Sequence, residues 1–107
     1  MVQEITVHEL KKLRESSATA PMLLDVREPW ELKIARLSGT LDIPMNEVPN
    51  RLQALPRDLA IVVMCRSGGR SLRVANYLQQ QGYTSVSNLT GGILAWSAEI
   101  DASLPQY

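Results

Sequence analysis

The run Leu59-Ala60-Ile61-Val62-Val63-Met64 is apolar at every position, so a strand built from it is hydrophobic on both faces. Such a strand must be covered on both sides, the situation of a central strand in a parallel sheet flanked by helices. The remaining sequence supplies pieces to match. Val2 to Ile5, Met22 to Val26, Thr40 to Ile43 and Ser85 to Leu89 read as four further strands. Helix-like segments separate them. Thr6 and Glu9 have the spacing of a capping box, opening a helix with Val7, Leu10 and Leu13 on one face and Lys11, Lys12 and Arg14 in water. Ser16 to Pro21 reads as a loop. Pro29 suits the first position of a short helix to about Ala35. Asn46 to Leu55 looks helical in its second half, with Pro49 disturbing its start. A helix beginning near Ser71 carries an apolar stripe of Leu72, Val74, Ala75 and Leu78 and stops at Gly82. Ile93 to Ile100 is the last. This alternation predicts one α/β domain over residues 1–107, with a mainly parallel sheet of about five strands and helices on both faces.

Composition narrows the function classes. A chain of 107 residues suits one domain. Eleven basic residues balance 11 acidic ones, which gives no general pull toward nucleic acid or anionic membrane. The first residues lack the build of a signal peptide, and no apolar run approaches the length of a bilayer-crossing helix. The single cysteine and single histidine cannot form an internal disulfide or the usual thiolate–imidazole metal site. A cytoplasmic setting without metal or organic cofactor is therefore expected.

The chemistry gathers directly after the apolar strand, in Cys65-Arg66-Ser67-Gly68-Gly69-Arg70-Ser71. Ligands of open α/β sheets bind beyond the carboxyl ends of the strands, where Cys65 falls. Gly68 and Gly69 allow a tight curl with amides pointing inward, and the following helix adds its positive end. Arg66 and Arg70 add two charges. Such a cradle suits an anion and favours a thiolate. A buried cysteine is often only a core residue, but packing does not explain the glycines, arginines and hydroxyls around this one. Two mechanisms use the arrangement: attack on phosphorus, and attack on the outer sulfur of a donor to form a persulfide.

Three segments resemble the rhodanese family of sulfurtransferases. Leu23-Leu24-Asp25-Val26-Arg27-Glu28 looks like its second-strand motif, the Cys65 to Ser71 segment like its active-site loop, and Asn88-Leu89-Thr90-Gly91-Gly92-Ile93-Leu94-Ala95-Trp96 like its C-terminal signature. Ser103-Leu104-Pro105 and Tyr107 are similar to the tail of small members. The resemblance implies a rhodanese-like fold and a thiosulfate sulfurtransferase with Cys65 catalytic. It implies Arg66, Ser67, Gly68, Gly69, Arg70 and Ser71 as the substrate-binding loop, with Asp25 supporting that region. The implied partners are a small-molecule sulfur donor and a thiol, cyanide or protein acceptor. The family's loop has six residues from cysteine to closing arginine, as Cys65 to Arg70 does. Related phosphatases and arsenate reductases have one more, and phosphatases commonly carry a histidine where this chain has Met64. A non-enzymatic sulfur carrier or binding module of the same fold remains an alternative, as does a phosphatase or arsenate reductase.

Other polar and aromatic residues have plainer readings. Arg36 stands where many relatives have a histidine; it either adds charge near the site or is a solvated arginine before a turn. His8 reads as a surface residue of the first helix. Ser71 could donate its hydroxyl to the bound sulfur or cap the helix. Trp30 and Trp96 are expected in core or interface rather than in the site.

Overall fold

A computed structural model describes residues 2–16, 18 and 20–107. Five strands, β1 (Gln3–Ile5), β2 (Met22–Asp25), β3 (Leu41–Asp42), β4 (Ile61–Met64) and β5 (Val86–Leu89), form one sheet in the order β1-β5-β4-β2-β3. Every pairing is parallel. The fully apolar strand is therefore the middle one, and all four of its residues are buried. Four α-helices, α1 (Val7–Glu15), α2 (Pro29–Ile34), α3 (Gly69–Gln80) and α4 (Gly92–Glu99), connect or follow the strands, with a 3-10 segment at Met45–Ala54.

Alternation along the strands sorts the core into two halves. Leu24, Ile61 and Val63 point toward α3 and the 3-10 segment, meeting Val48, Leu55, Val74, Ala75 and Leu78. Leu23, Val62 and Met64 point the other way, toward α1 and α4, meeting Leu10, Leu89, Ile93 and Trp96. Each fully buried aliphatic side chain contributes roughly 1.5–3 kcal/mol by leaving water.

Several expected boundaries move for identifiable reasons. Leu59, counted into the apolar strand, is half exposed before β4 begins at Ile61. Where a helix is expected in the second half of Asn46 to Leu55, 3-10 geometry runs over Met45–Ala54, with Pro49 inside and non-helical φ/ψ at Arg51. Helix α3 starts earlier than expected, with Gly68 in the N-cap position at φ 114°; Ser71 is thus an interior helical residue and not a cap. Leu72 stands partly exposed, outside the buried stripe of Val74, Ala75 and Leu78. The capping box of Thr6 and Glu9 forms in both directions. Within the loop expected over 16–21, residues 17 and 19 lie outside the described residues.

Candidate active site

The chain leaves β2 through α2 toward β3 on one side of the sheet order. It leaves β4 through α3 toward β5 on the other. The direction of winding changes between β2 and β4, and the carboxyl ends of strands at such a point are where open α/β sheets take their ligands. The loop from Cys65 follows the carboxyl end of β4, and the start of α2 follows that of β2. Helix α4 supports the loop from beneath: the amides of Ile93 and Leu94 donate to the carbonyl oxygens of Cys65 and Arg66 at 3.0 and 3.1 Å. Gly92 makes that approach possible. A Cβ there would stand 2.5 Å from both carbonyl oxygens, and its φ is +59°. The Gly-Gly of the C-terminal signature is thus a seat for the cysteine loop.

Cys65 is 1 % exposed, and its Sγ accepts the Gly68 amide hydrogen at 3.0 Å. Burial pushes the thiol pKa up, but the Ser71 hydroxyl and the amides of Ser71, Gly68 and Ser67 outweigh it, so the pKa lies below the ordinary thiol value. The arginines enter less directly than the sequence suggests. Arg70 forms a two-pronged bond to Glu31 of α2, with Nη1 to Oε2 at 2.7 Å and Nη2 to Oε1 at 2.8 Å. Arg66 donates through Nε to the backbone oxygen of Tyr107 at 2.5 Å, and its guanidinium lies over the Tyr107 ring. Gly69, expected to help the loop curl, has no positive φ and open space where a Cβ would stand. Gly68 alone of the pair uses the left-handed region.

Glu31 was not among the residues singled out from the sequence, yet it is a hub. It is 2 % exposed and accepts from both Arg70 nitrogens, from the Glu28 amide at 2.8 Å and from the Tyr107 hydroxyl at 2.8 Å. Arg70 above all, against the cost of burial and helped by the Glu28 amide and Tyr107, holds its carboxyl pKa at about 2. Arg27 extends the network. Wholly buried, it bonds Asp25 through its backbone N, Nε and Nη2, Ala35 through Nη2, and the Tyr107 hydroxyl through Nη1 at 2.9 Å. Burial works against the Arg27 charge, but its bonds to Asp25 and Tyr107 raise its pKa above the usual arginine value. Asp25 is therefore joined to the loop through Arg27, Tyr107 and Glu31, at several removes. The available sequence signal for Glu31 was its position in the first turn of the helix that follows β2.

A second set of bonds approaches Cys65 from β5. Ser71 Oγ lies 3.3 Å from Cys65 Sγ and 2.5 Å from Asn88 Oδ1. Asn88 Nδ2 donates to the Glu4 carboxylate at 3.1 and 3.2 Å and to the Gly68 carbonyl at 3.2 Å. Thr90 also donates to Glu4, at 2.8 Å. The remaining candidates stand apart. His8 is exposed and pairs with Glu99 at 3.0 Å. Arg36 is half exposed and pairs with Asp42 at 2.6 Å. Trp96 is in the core, whereas Trp30 is 60 % exposed and meets the Tyr107 ring edge-on. A cavity of about 380 Å³ lined by Lys11, Arg14, Arg36, Trp96 and Leu104, among others, lies apart from Cys65.

The Rhodanese-like domain family matches residues 6–99. A sulfurtransferase of Allochromatium vinosum is 40 % identical over 97 residues, a match spanning 91 % of this chain and 90 % of that protein. The chloroplastic Rhodanese-like/PpiC domain-containing protein 12 of Arabidopsis thaliana is also 40 % identical, but the chain spans only 38 % of its length. A rhodanese-related protein from Thermoplasma volcanium, known from its crystal structure, superimposes with a TM-score of 0.83 at 31 % identity, covering 92 % of this chain and 93 % of the other. With the cysteine loop, its glycine seat and the five-stranded parallel sheet in place, the chain belongs to the rhodanese-like domain family.

Proposed function

We propose that this sulfurtransferase-family chain moves a sulfane sulfur from thiosulfate or a similar donor, through a persulfide on Cys65, to cyanide or a thiol acceptor. The observation that carries the reading is the Cys65 sulfur at the end of β4, ringed by loop amides that favour its ionised form. In the first step the thiolate attacks the outer sulfur of thiosulfate. A new S–S bond forms, the donor's S–S bond breaks, and sulfite leaves with the electron pair. Arg66, Arg70, the Ser67 and Ser71 hydroxyls and the amides around Gly68 and Gly69 hold the donor's anionic end and the persulfide. Asp25 supports the loop from behind, through the Arg27 network. In the second step an acceptor nucleophile takes the outer sulfur and the Cys65 thiolate is regenerated.

The chain has one cysteine, so no internal thiol can discharge the persulfide. The acceptor comes from outside: cyanide, a small thiol or a protein acceptor. A reducing, cytoplasmic setting suits that lone working thiol. No helix among the described residues is long and apolar enough to cross a membrane. The test is intact mass after incubation with thiosulfate and removal of excess donor. The expected result is one added sulfur on the wild type and none on Cys65→Ser. No uptake by the wild type, or equal uptake by the variant, sinks the proposal. Hydrolysis of an aryl phosphate without sulfur uptake would favour the phosphatase alternative.

A further inference from the structure

Ser71 stands between two acceptors with one hydrogen to give. A hydroxyl carries a single donor, and Asn88 Oδ1 carries none. The orientation of the Asn88 amide is fixed by its surroundings. Its other nitrogen-side contacts, the Glu4 carboxylate and the Gly68 carbonyl, can only accept, so Nδ2 must face them and Oδ1 must face Ser71. The 2.5 Å contact between Ser71 Oγ and Asn88 Oδ1 therefore contains the Ser71 hydrogen. What Ser71 turns toward Cys65 at 3.3 Å is a lone pair, suited to receive the hydrogen of a thiol. A thiolate reverses the demand: it can only accept, and Ser71 can serve it only by turning away from Asn88. Asn88 is 2 % exposed, so no bulk water replaces the lost donor.

We propose that Asn88, oriented by Glu4, is a positioning residue that keeps the Ser71 hydrogen off the resting thiol, so that Ser71 accepts from Cys65 before ionisation and donates to it afterwards. The inference rests on the reading of Cys65 as the reacting atom, but not on the identity of the sulfur donor. Charged groups near the sulfur are Arg66 and Arg70 of the loop, Glu31 of α2 behind Arg70, and Glu4 of β1 behind Asn88. The substitutions below alter none of them.

The experiment measures the rate of Cys65 alkylation by iodoacetamide from mildly acidic to alkaline pH. Asn88→Ala releases the Ser71 hydroxyl to serve the thiolate without a competing loss. Alkylation at neutral pH should then rise roughly three- to tenfold, and the profile should move to lower pH. In a Ser71→Ala background the same Asn88→Ala change should alter the rate by less than about twofold, because the effect runs through that hydroxyl. An Asn88→Ala rate that is unchanged or slower, or that rises equally without Ser71, overturns the proposal. Should Asn88→Ala fail to fold, the wild-type S–H stretching band decides. With one cysteine it belongs to Cys65 alone, and it should lie at the low frequency of a donating thiol; the frequency of a free thiol overturns the proposal. These readouts need no thiosulfate, so failed sulfur uptake beside the expected alkylation pattern would remove the sulfur-transfer reading alone.

Discussion

Replacing Glu31 by Gln removes one charge and almost no volume from the hub beside the cysteine loop. In the folded chain the Glu31 carboxyl titrates at about 2, against an ordinary value of 4.5. At about 1.4 kcal/mol per pH unit, that displacement corresponds to roughly 3 kcal/mol of stability at neutral pH. Arg70 keeps about a third of its side-chain surface in water, which moderates the loss, so Glu31→Gln should cost about 2–3 kcal/mol. This is a large share of the roughly 5–15 kcal/mol that holds a domain of this kind together. The contribution also has a definite pH window. It is fully present above the unfolded value of 4.5 and disappears as pH falls through about 2, because between those limits the unfolded chain takes up a proton that the folded chain refuses. Urea unfolding at neutral pH and at several acidic values measures both effects. The variant should be less stable at neutral pH, and the gap should close on acidification. A variant as stable as wild type, or a gap that does not change through that window, would refute the assignment of Glu31 as a buried, fully ionised partner of Arg70.

Tyr107→Phe removes the hydroxyl that links Arg27 to Glu31 while leaving the ring against Arg66 and Trp30; thermal unfolding should show a loss of about 1–2 kcal/mol. The two glycine sites of the loop region should part company. Gly92→Ala drives a Cβ into the Cys65 and Arg66 carbonyls and should disrupt both stability and Cys65 reactivity. Gly69→Ala meets open space at ordinary φ and should fold with stability unchanged or raised by up to about 1 kcal/mol in urea titration. Trp96→Ala empties the core between α1 and α4 and should cost about 3–5 kcal/mol by the same measurement, with the β4 loop itself intact.

The middle strand and the cysteine loop were legible because each is written in consecutive residues. Ile61 to Met64 has no polar face to offer water, and Cys65 to Ser71 packs its chemistry into one turn. The same locality explains what was missed. Glu31 is an acidic residue in the first turn of a helix, an ordinary surface pattern, and becomes a hub only when α2 is laid beside Arg70, 39 positions later. Asn88 reads as one residue of a strand until its register beside β1 brings Glu4 to one end of its amide and Ser71 to the other. Gly69 erred in the other direction. Adjacent to Gly68, it looked like half of a turn, but one positive φ is enough to lead into α3. The arginines were legible and their partners were not, since Arg70 meets Glu31 from 39 positions earlier and Arg66 meets Tyr107 from 41 positions later.

The bonds to Tyr107 span 80 positions to Arg27, 76 to Glu31 and 41 to Arg66. Each of these bonds ties a residue of the site to a segment distant in sequence, so they stand or fall together with the docking of that segment. With the Tyr107 segment undocked, Arg66 would lose its backbone acceptor and the hydroxyl bridge between Arg27 and Glu31 would open, while the turn from Cys65 to Gly68 keeps its own bond. Tyr107 thus governs where the surrounding arginines are held, while the sulfur's own contacts come from residues three to six positions away.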